Sequence, residues 1–127
     1  MTNLGLSFSI LITDDDPAIR ESMRELFVPK GFTTYLAGSG EEALEIACSR
    51  NIHLALLDIH LPKLSGIETL GMMRQSRVIL PVILMSADHD ENLLRRALAA
   101  HAFSVLSKPV SVNEVMYVVT RALEKFY

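Results

Sequence analysis

The chain is short of cysteine, of positive charge and of long apolar runs, and each shortage excludes a class of protein. A single cysteine, Cys48, among 127 residues forbids an internal disulfide and fits a reducing compartment. Twelve Lys and Arg against fifteen Asp and Glu leave a formal net charge of −3, which is no electrostatic footprint for nucleic acid. Arg, Lys, Asp, Pro or Gly breaks every apolar stretch well before the length of a membrane span. The start, Met1 to Ser9, has neither the basic segment nor the long apolar region of a secretory signal. The four histidines, His53, His60, His89 and His101, lack metal-ligand spacing and read as surface-loop residues, with His60 and His89 near the mouth of any pocket at the strand ends. No linker or low-complexity segment appears. Half the residues are hydrophobic, enough for one core, and the length is too short for two ordinary domains. The expectation is a soluble, cytoplasmic chain with no membrane contact and no direct nucleic-acid binding.

What is present is a regular alternation of short apolar runs and helical patterns. Ser9 to Thr13, Thr33 to Ala37, Leu54 to Asp58, Pro81 to Met85 and Phe103 to Ser107 read as strands. Between them, Asp16-Pro17 looks like an N-cap followed by proline at the first helical position, with Ile19, Met23, Leu26 and Phe27 as the apolar stripe and Gly31 as the stop. Ser39-Gly40-Glu41-Glu42 and Ser65-Gly66-Ile67-Glu68 are capping boxes. The first opens a helix with Ala43, Leu44 and Ala47 inside; the second opens one with Ile67, Leu70 and either Met72 or Met73 inside. A cap between Asp88 and Glu91 starts a helix bearing Leu94, Ala97 and Leu98. Ser111 caps the last helix, which carries Val115, Val119, Ala122, Leu123 and Phe126. Five strands alternating with five helices imply right-handed crossovers and a parallel sheet, whose strand order periodicity does not fix.

Two of these strands stop abruptly in carboxylate, Ile10 to Thr13 before Asp14-Asp15-Asp16 and Leu54 to Leu57 before Asp58. Ligands of open α/β sheets sit just beyond the C-terminal strand ends. If the two strands are neighbours, Asp14, Asp15 and Asp58 converge on one pocket, and carboxylates that close repel unless a cation joins them. Oxygen-only ligands with room for water suit Mg2+ or Mn2+ better than zinc. Asp16, before Pro17, suits an N-cap more than a metal ligand.

Taken in order, Asp14-Asp15, Asp58, Ser86-Ala87 and Lys108-Pro109 at the ends of strands one, three, four and five resemble the receiver domain of two-component response regulators. The loop from Asp58 to Gly66, with Pro62, is similar to that family's phosphorylation loop. The likeness runs from about Phe8 to Tyr127, so that residues 1–127 read as a single receiver domain (core about 8–127) with no output domain in this chain. It implies a flavodoxin-like fold, a five-stranded parallel sheet in the order 2-1-3-4-5 with helices on both faces.

The resemblance also implies chemistry. Asp58 is the phosphoacceptor, taking a phosphoryl group from a sensor histidine kinase or histidine phosphotransfer protein as an acyl phosphate. Asp15 binds Mg2+ directly (Mn2+ substitutes), Asp14 directly or through water, with Asp58 and the backbone carbonyl of His60 completing the protein's ligands. Lys108 pairs with Asp58 and then with the phosphate, to which the Ser86 hydroxyl and the Ala87 N–H donate. His60 and Asp88 flank the attacking water and tune the phosphate's lifetime. Pro109 follows a cis peptide. Such a domain is a signalling module and not an enzyme in its own right. It acts on an output domain or partner through the face of helix four, strand five and helix five, including Arg95, Arg96, Met116 and Tyr117, and that face also permits a phosphorylation-dependent homodimer.

Two positions depart from the family pattern. Val105, three before the lysine, replaces the aromatic that in many receivers moves inward as Ser or Thr engages phosphate, so the switch rests on Ser86 and Val105. His101 stands where a glycine often permits positive φ, and must take another turn or accept strain. Taken singly, Ser86 reads as a strand-end hydroxyl, Lys108 as a solvated cation and Asp58 as a cap; the functional readings rest on their combination. Two other functions compete. One is a haloacid dehalogenase-like phosphatase fragment with Asp14 as nucleophile and Asp16 as acid/base, which leaves Asp58 unexplained. The other is a receiver-like interaction module that is never phosphorylated, against which the complete acidic pocket argues.

Overall fold

The structure, a computed structural model, describes residues 8–88 and 90–127; His89 lies outside the described residues. Its strands are β1 (Ser9–Thr13), β2 (Thr33–Ala37), β3 (Leu54–Asp58), β4 (Val82–Ser86) and β5 (Ser104–Ser107). Its helices are α1 (Pro17–Phe27), α2 (Gly40–Ser49), α3 (Gly66–Gln75), α4 (Glu91–Ala99) and α5 (Val112–Phe126). The strands form one sheet in the order β2-β1-β3-β4-β5, every pair parallel. This is the flavodoxin-like order the resemblance implies. The order reverses between β1 and β3, which opens a crevice beyond their C-terminal ends.

Strands β1, β3 and β4 are buried along their whole length, which is why they read as continuous apolar runs and not as alternations. Successive side chains leave on opposite faces. Ile10, Ile12, Leu54, Leu56, Ile83 and Met85 pack on α1 and α5 through Met23, Phe27, Val115, Val119, Ala122 and Leu123. Leu11, Ala55, Leu57, Val82 and Leu84 pack on α2, α3 and α4 through Ala43, Ala47, Leu70, Met73 and Ala97. Each fully buried Leu, Ile or Met contributes about 1.5–3 kcal/mol, so this two-layered core holds the strand ends rigidly in register.

The helix starts follow the expected caps, with one difference at α2. The Ser65–Glu68 box is complete, whereas Glu42 reaches past Ser39 and accepts from the Gly38 N–H at 2.7 Å. The cap of α4 is Asp90, whose Oδ1 accepts from Asn92 N. A helix starting at Glu91 turns Leu93 and Ala97 inward and leaves Leu94 and Leu98 46% and 56% exposed, so two of its three expected core residues face solvent. Met73, not Met72, is the buried methionine of α3, and Phe126 is largely exposed. Strand β4 begins at Val82 because Pro81 brings no N–H and offers only its carbonyl, to Ala55 N. His53 is no free surface-loop histidine. Its Nδ1 accepts from the Ser9 N–H at 3.0 Å, and burial lowers its pKa.

His101 has φ 67°, the left-handed region, so the turn before β5 keeps the geometry of a glycine and bears the strain. Its carbonyl accepts from Arg74 Nη2 at 3.2 Å, and its side chain is exposed. His101→Gly should therefore stabilise the fold by about 0.5–1 kcal/mol, the left-handed cost less glycine's extra chain entropy. A higher urea midpoint at unchanged slope is the expected reading; a lower midpoint would contradict it.

Candidate functional site

Asp14, Asp15, Asp58, Ser86 and Lys108 come together beyond the C-terminal ends of β1, β3, β4 and β5. Register places them. Thr13 pairs with Leu57 and Asp58 with Met85, so the residues that end these strands meet at one level. Asp14 is 1% exposed and Asp58 5%, while Asp15 is exposed. Carboxylate oxygens of the three lie within 4.8 Å of one another.

Two buried carboxylates need compensation, and a single ammonium gives it. Lys108 Nζ donates to Asp14 Oδ2 at 2.8 Å and to Asp58 Oδ2 at 3.0 Å. Burial works against the ammonium, but the hydrogen bonds to Asp14 and Asp58 and the attraction of both charges outweigh it, and its pKa is raised. The other oxygens are also partnered. Asp14 Oδ1 accepts from Asp16 N at 3.0 Å, and Asp58 Oδ1 accepts from His60 N at 3.1 Å. Asp16 itself caps α1, its Oδ1 accepting from Ala18 N at 2.9 Å. That capping role leaves the phosphatase reading without its acid/base.

The loop after β3 closes tightly on the strand end. Gly66 N donates to Ile59 O at 2.9 Å, and a Cβ on Gly66 would collide with the Asp58 carbonyl oxygen. Only glycine fits that approach. Lys63 in the same loop has φ 67°, and the Lys108-Pro109 peptide is cis.

On the other side of the pocket, Ser86 is buried and its Oγ accepts from Asp88 N at 3.0 Å. Ala87 and Asp88 are exposed, and Val105 is half-buried. A cavity of about 200 Å3 opens between Ser86, Ile59, Leu93 and Val105. Beside Lys108, an apolar groove of about 670 Å3 runs between α1 and the β5–α5 loop, lined by Ile19, Met23, Leu26, Pro109 and Val110.

Two features were not read from sequence. Lys108 bridges Asp14 as well as Asp58, a shared contact that a strand-end lysine does not announce. Arg20 Nη1 donates to the Asp14 carbonyl at 2.7 Å and fixes the end of β1; its position four residues after the Asp16 cap is the signal that was available. Of the expected output face, Arg95, Arg96 and Tyr117 are exposed. Met116 is half-buried, packing in part against the α1/α5 core.

Among the described residues no helix is long and apolar enough to cross a membrane. Residues 10–120 match the family model described as response regulator receiver domain. The chain is 35% identical over 115 residues to the regulatory protein AtoC of Escherichia coli, covering 91% of this chain and 25% of that protein. It is 34% identical over 111 residues to the response regulator MprA of Mycobacterium ulcerans, covering 87% and 48% respectively. The receiver domain of the Francisella response regulator 1452 superposes with a TM-score of 0.89 at 27% identity, covering 95% of this chain and all of that one. The chain thus spans between a quarter and about half the length of these two curated relatives.

Proposed function

The chain belongs to the response regulator receiver domain family, and on that premise we propose that it accepts a phosphoryl group on Asp58 in a Mg2+-dependent reaction. The observation that carries the proposal is the place of Asp58 on β3, between β1 and β4. Neighbouring strands lie about 4.8 Å apart. A phosphoryl group on Asp58 is therefore one strand from the Ser86 hydroxyl and within reach of the Lys108 ammonium that already touches its Oδ2. On Asp14 the same group would lie two strands from Ser86.

The Asp58 carboxylate attacks the phosphorus of a phosphohistidine donor; the O–P bond forms as the donor's P–N bond breaks. Lys108 holds Asp58 in place beforehand and then pairs with the phosphate, to which the Ser86 Oγ–H and the Ala87 N–H donate. The oxygens of Asp14, Asp15 and Asp58 fit a hard cation, with the His60 carbonyl as a further ligand; when bound, Mg2+ neutralises charge that builds up on the phosphoryl oxygens. His60 and Asp88 flank the water's path to the acyl phosphate and set its lifetime. The donor is a histidine kinase or phosphotransfer protein, for which the apolar groove beside Lys108 offers a surface. A domain beyond this stretch, or a separate partner, receives the signal.

Mg2+ binds the folded chain only, so saturation at about one hundred times its dissociation constant should add roughly 2.7 kcal/mol of stability. Asp15→Ala should remove most of that gain, with the exposed side chain costing the apo fold little. Thermal melts with and without Mg2+ read this directly, and an undiminished shift in the variant would contradict the assignment.

Output should begin at Ser86. Its movement toward phosphate displaces the β4–α4 loop, and with Val105 in place of a ring the change passes through backbone and small side chains to α4, β5 and α5. Amide shifts on adding beryllofluoride with Mg2+ should therefore extend from Ser86, Ala87 and Asp88 into Ser104–Ser107. Shifts confined to the acidic pocket would show that this face is not the route.

A further inference from the structure

His60 and Asp88 stand on different loops, yet their side chains meet over the pocket. His60 Nε2 lies 3.0 Å from Asp88 Oδ2 and 3.3 Å from Ser86 Oγ. A carboxylate has no proton to give, so Nε2 carries the hydrogen and donates. Asp88 N donates in turn to Ser86 Oγ at 3.0 Å. One imidazole and one backbone amide thus converge on the hydroxyl that would serve the phosphate, and the Asp88 carboxylate holds the imidazole in place.

Resting on the phosphoacceptor reading above, we infer that His60 and Asp88 form a clasp between the β3–α3 and β4–α4 loops that holds Ser86 in the unphosphorylated arrangement. These contacts fix where the buried Ser86 Oγ sits, so the hydroxyl moves toward a phosphoryl group on Asp58 only if the contact to His60 breaks. The clasp therefore biases the resting state, and both residues are positioning residues that act through Ser86. Half-exposed pairs of this kind are weak, which suits a contact that must open in every cycle. Among the described residues, those lining the cavity beside Val105 include no aromatic ring, and the ring the hydroxyl touches is His60.

Two measurements on His60→Ala, Asp88→Ala and the double variant test this at fixed pH. In the unmodified protein, exchange of the residue 88 amide should quicken about two- to fivefold in either single variant and no further in the double, since one contact is lost only once. Asp88→Asn, which keeps an acceptor oxygen, should exchange like the parent. With Mg2+ present, the beryllofluoride concentration giving half-saturation should fall by a similar factor in both single variants. Unchanged exchange in either single variant, additive effects in the double, or unchanged half-saturation would overturn the clasp. A parent protein that binds no beryllofluoride would instead overturn the phosphoacceptor reading, and amide exchange would still decide whether the clasp exists.

Discussion

Asp58→Asn should abolish phosphoryl uptake from acetyl phosphate, with a loss of at least about a thousandfold. The amide has the size of the carboxylate and none of its nucleophilicity, so an acyl phosphate has nothing to form on. The fold should survive. Asparagine keeps one oxygen to accept from Lys108 Nζ and gives up the single backbone bond from His60 N, while one negative charge leaves a pocket where two buried carboxylates share one ammonium. Apo stability should hold or rise, and the Mg2+-dependent gain should shrink. Asp14→Asn is the control, since it weakens the metal site and spares the nucleophile. Label incorporation in Asp58→Asn at the parental level would refute the assignment, whatever its melting temperature.

Lys108→Met should destabilise the apo protein by about 3 kcal/mol. Methionine keeps most of the apolar stem but withdraws the cation from two carboxylates that are 1% and 5% exposed. Breaking a buried ion pair by removing one partner typically costs about 3–5 kcal/mol, because a charge stays behind uncompensated. The lower end applies, since the lysine side chain itself is 20% exposed. Mg2+ should restore much of the loss by supplying the missing positive charge, so the variant's stability depends on Mg2+ more steeply than the parent's. Phosphoryl uptake should also slow, because the phosphate loses its ammonium partner. Equal apo stability, or a Mg2+ response no larger than the parent's, would contradict this account of the pocket.

The sequence made some of this legible for identifiable reasons. Strands β1, β3 and β4 could be bounded to within a residue because they are covered on both faces and their apolar runs stop at a polar or charged side chain. The caps at Asp16, Ser65 and Ser111 were legible because a side-chain oxygen there bonds an amide two or three residues on, a purely local rule. The strand order came from the family resemblance, since no local pattern encodes which strands pair.

What was not legible depends on contacts between distant segments. Leu94 and Leu98 fit a helical stripe as well as Leu93 and Ala97 do, and the cap at Asp90 decided the phase of α4. Met116 sits at a position that α5 periodicity leaves ambiguous, and it packs in part against the α1/α5 core. The paired hydrogen bonds of Lys108 to Asp14 and Asp58 and the meeting of His60 with Asp88 join residues 94, 50 and 28 positions apart, none with a spacing rule. His101 is the instructive case. Sequence marked the position as strained or rebuilt, and the chain kept the left-handed turn.

The most direct test is to find the residue that carries the phosphoryl group. The protein would be treated with acetyl phosphate and Mg2+, reduced with borohydride to trap the acyl phosphate, digested and read by peptide mass spectrometry. The account predicts one modified residue, Asp58, with the signal lost when Mg2+ is chelated; modification at Asp14, or none at Asp58 under saturating donor, would contradict it.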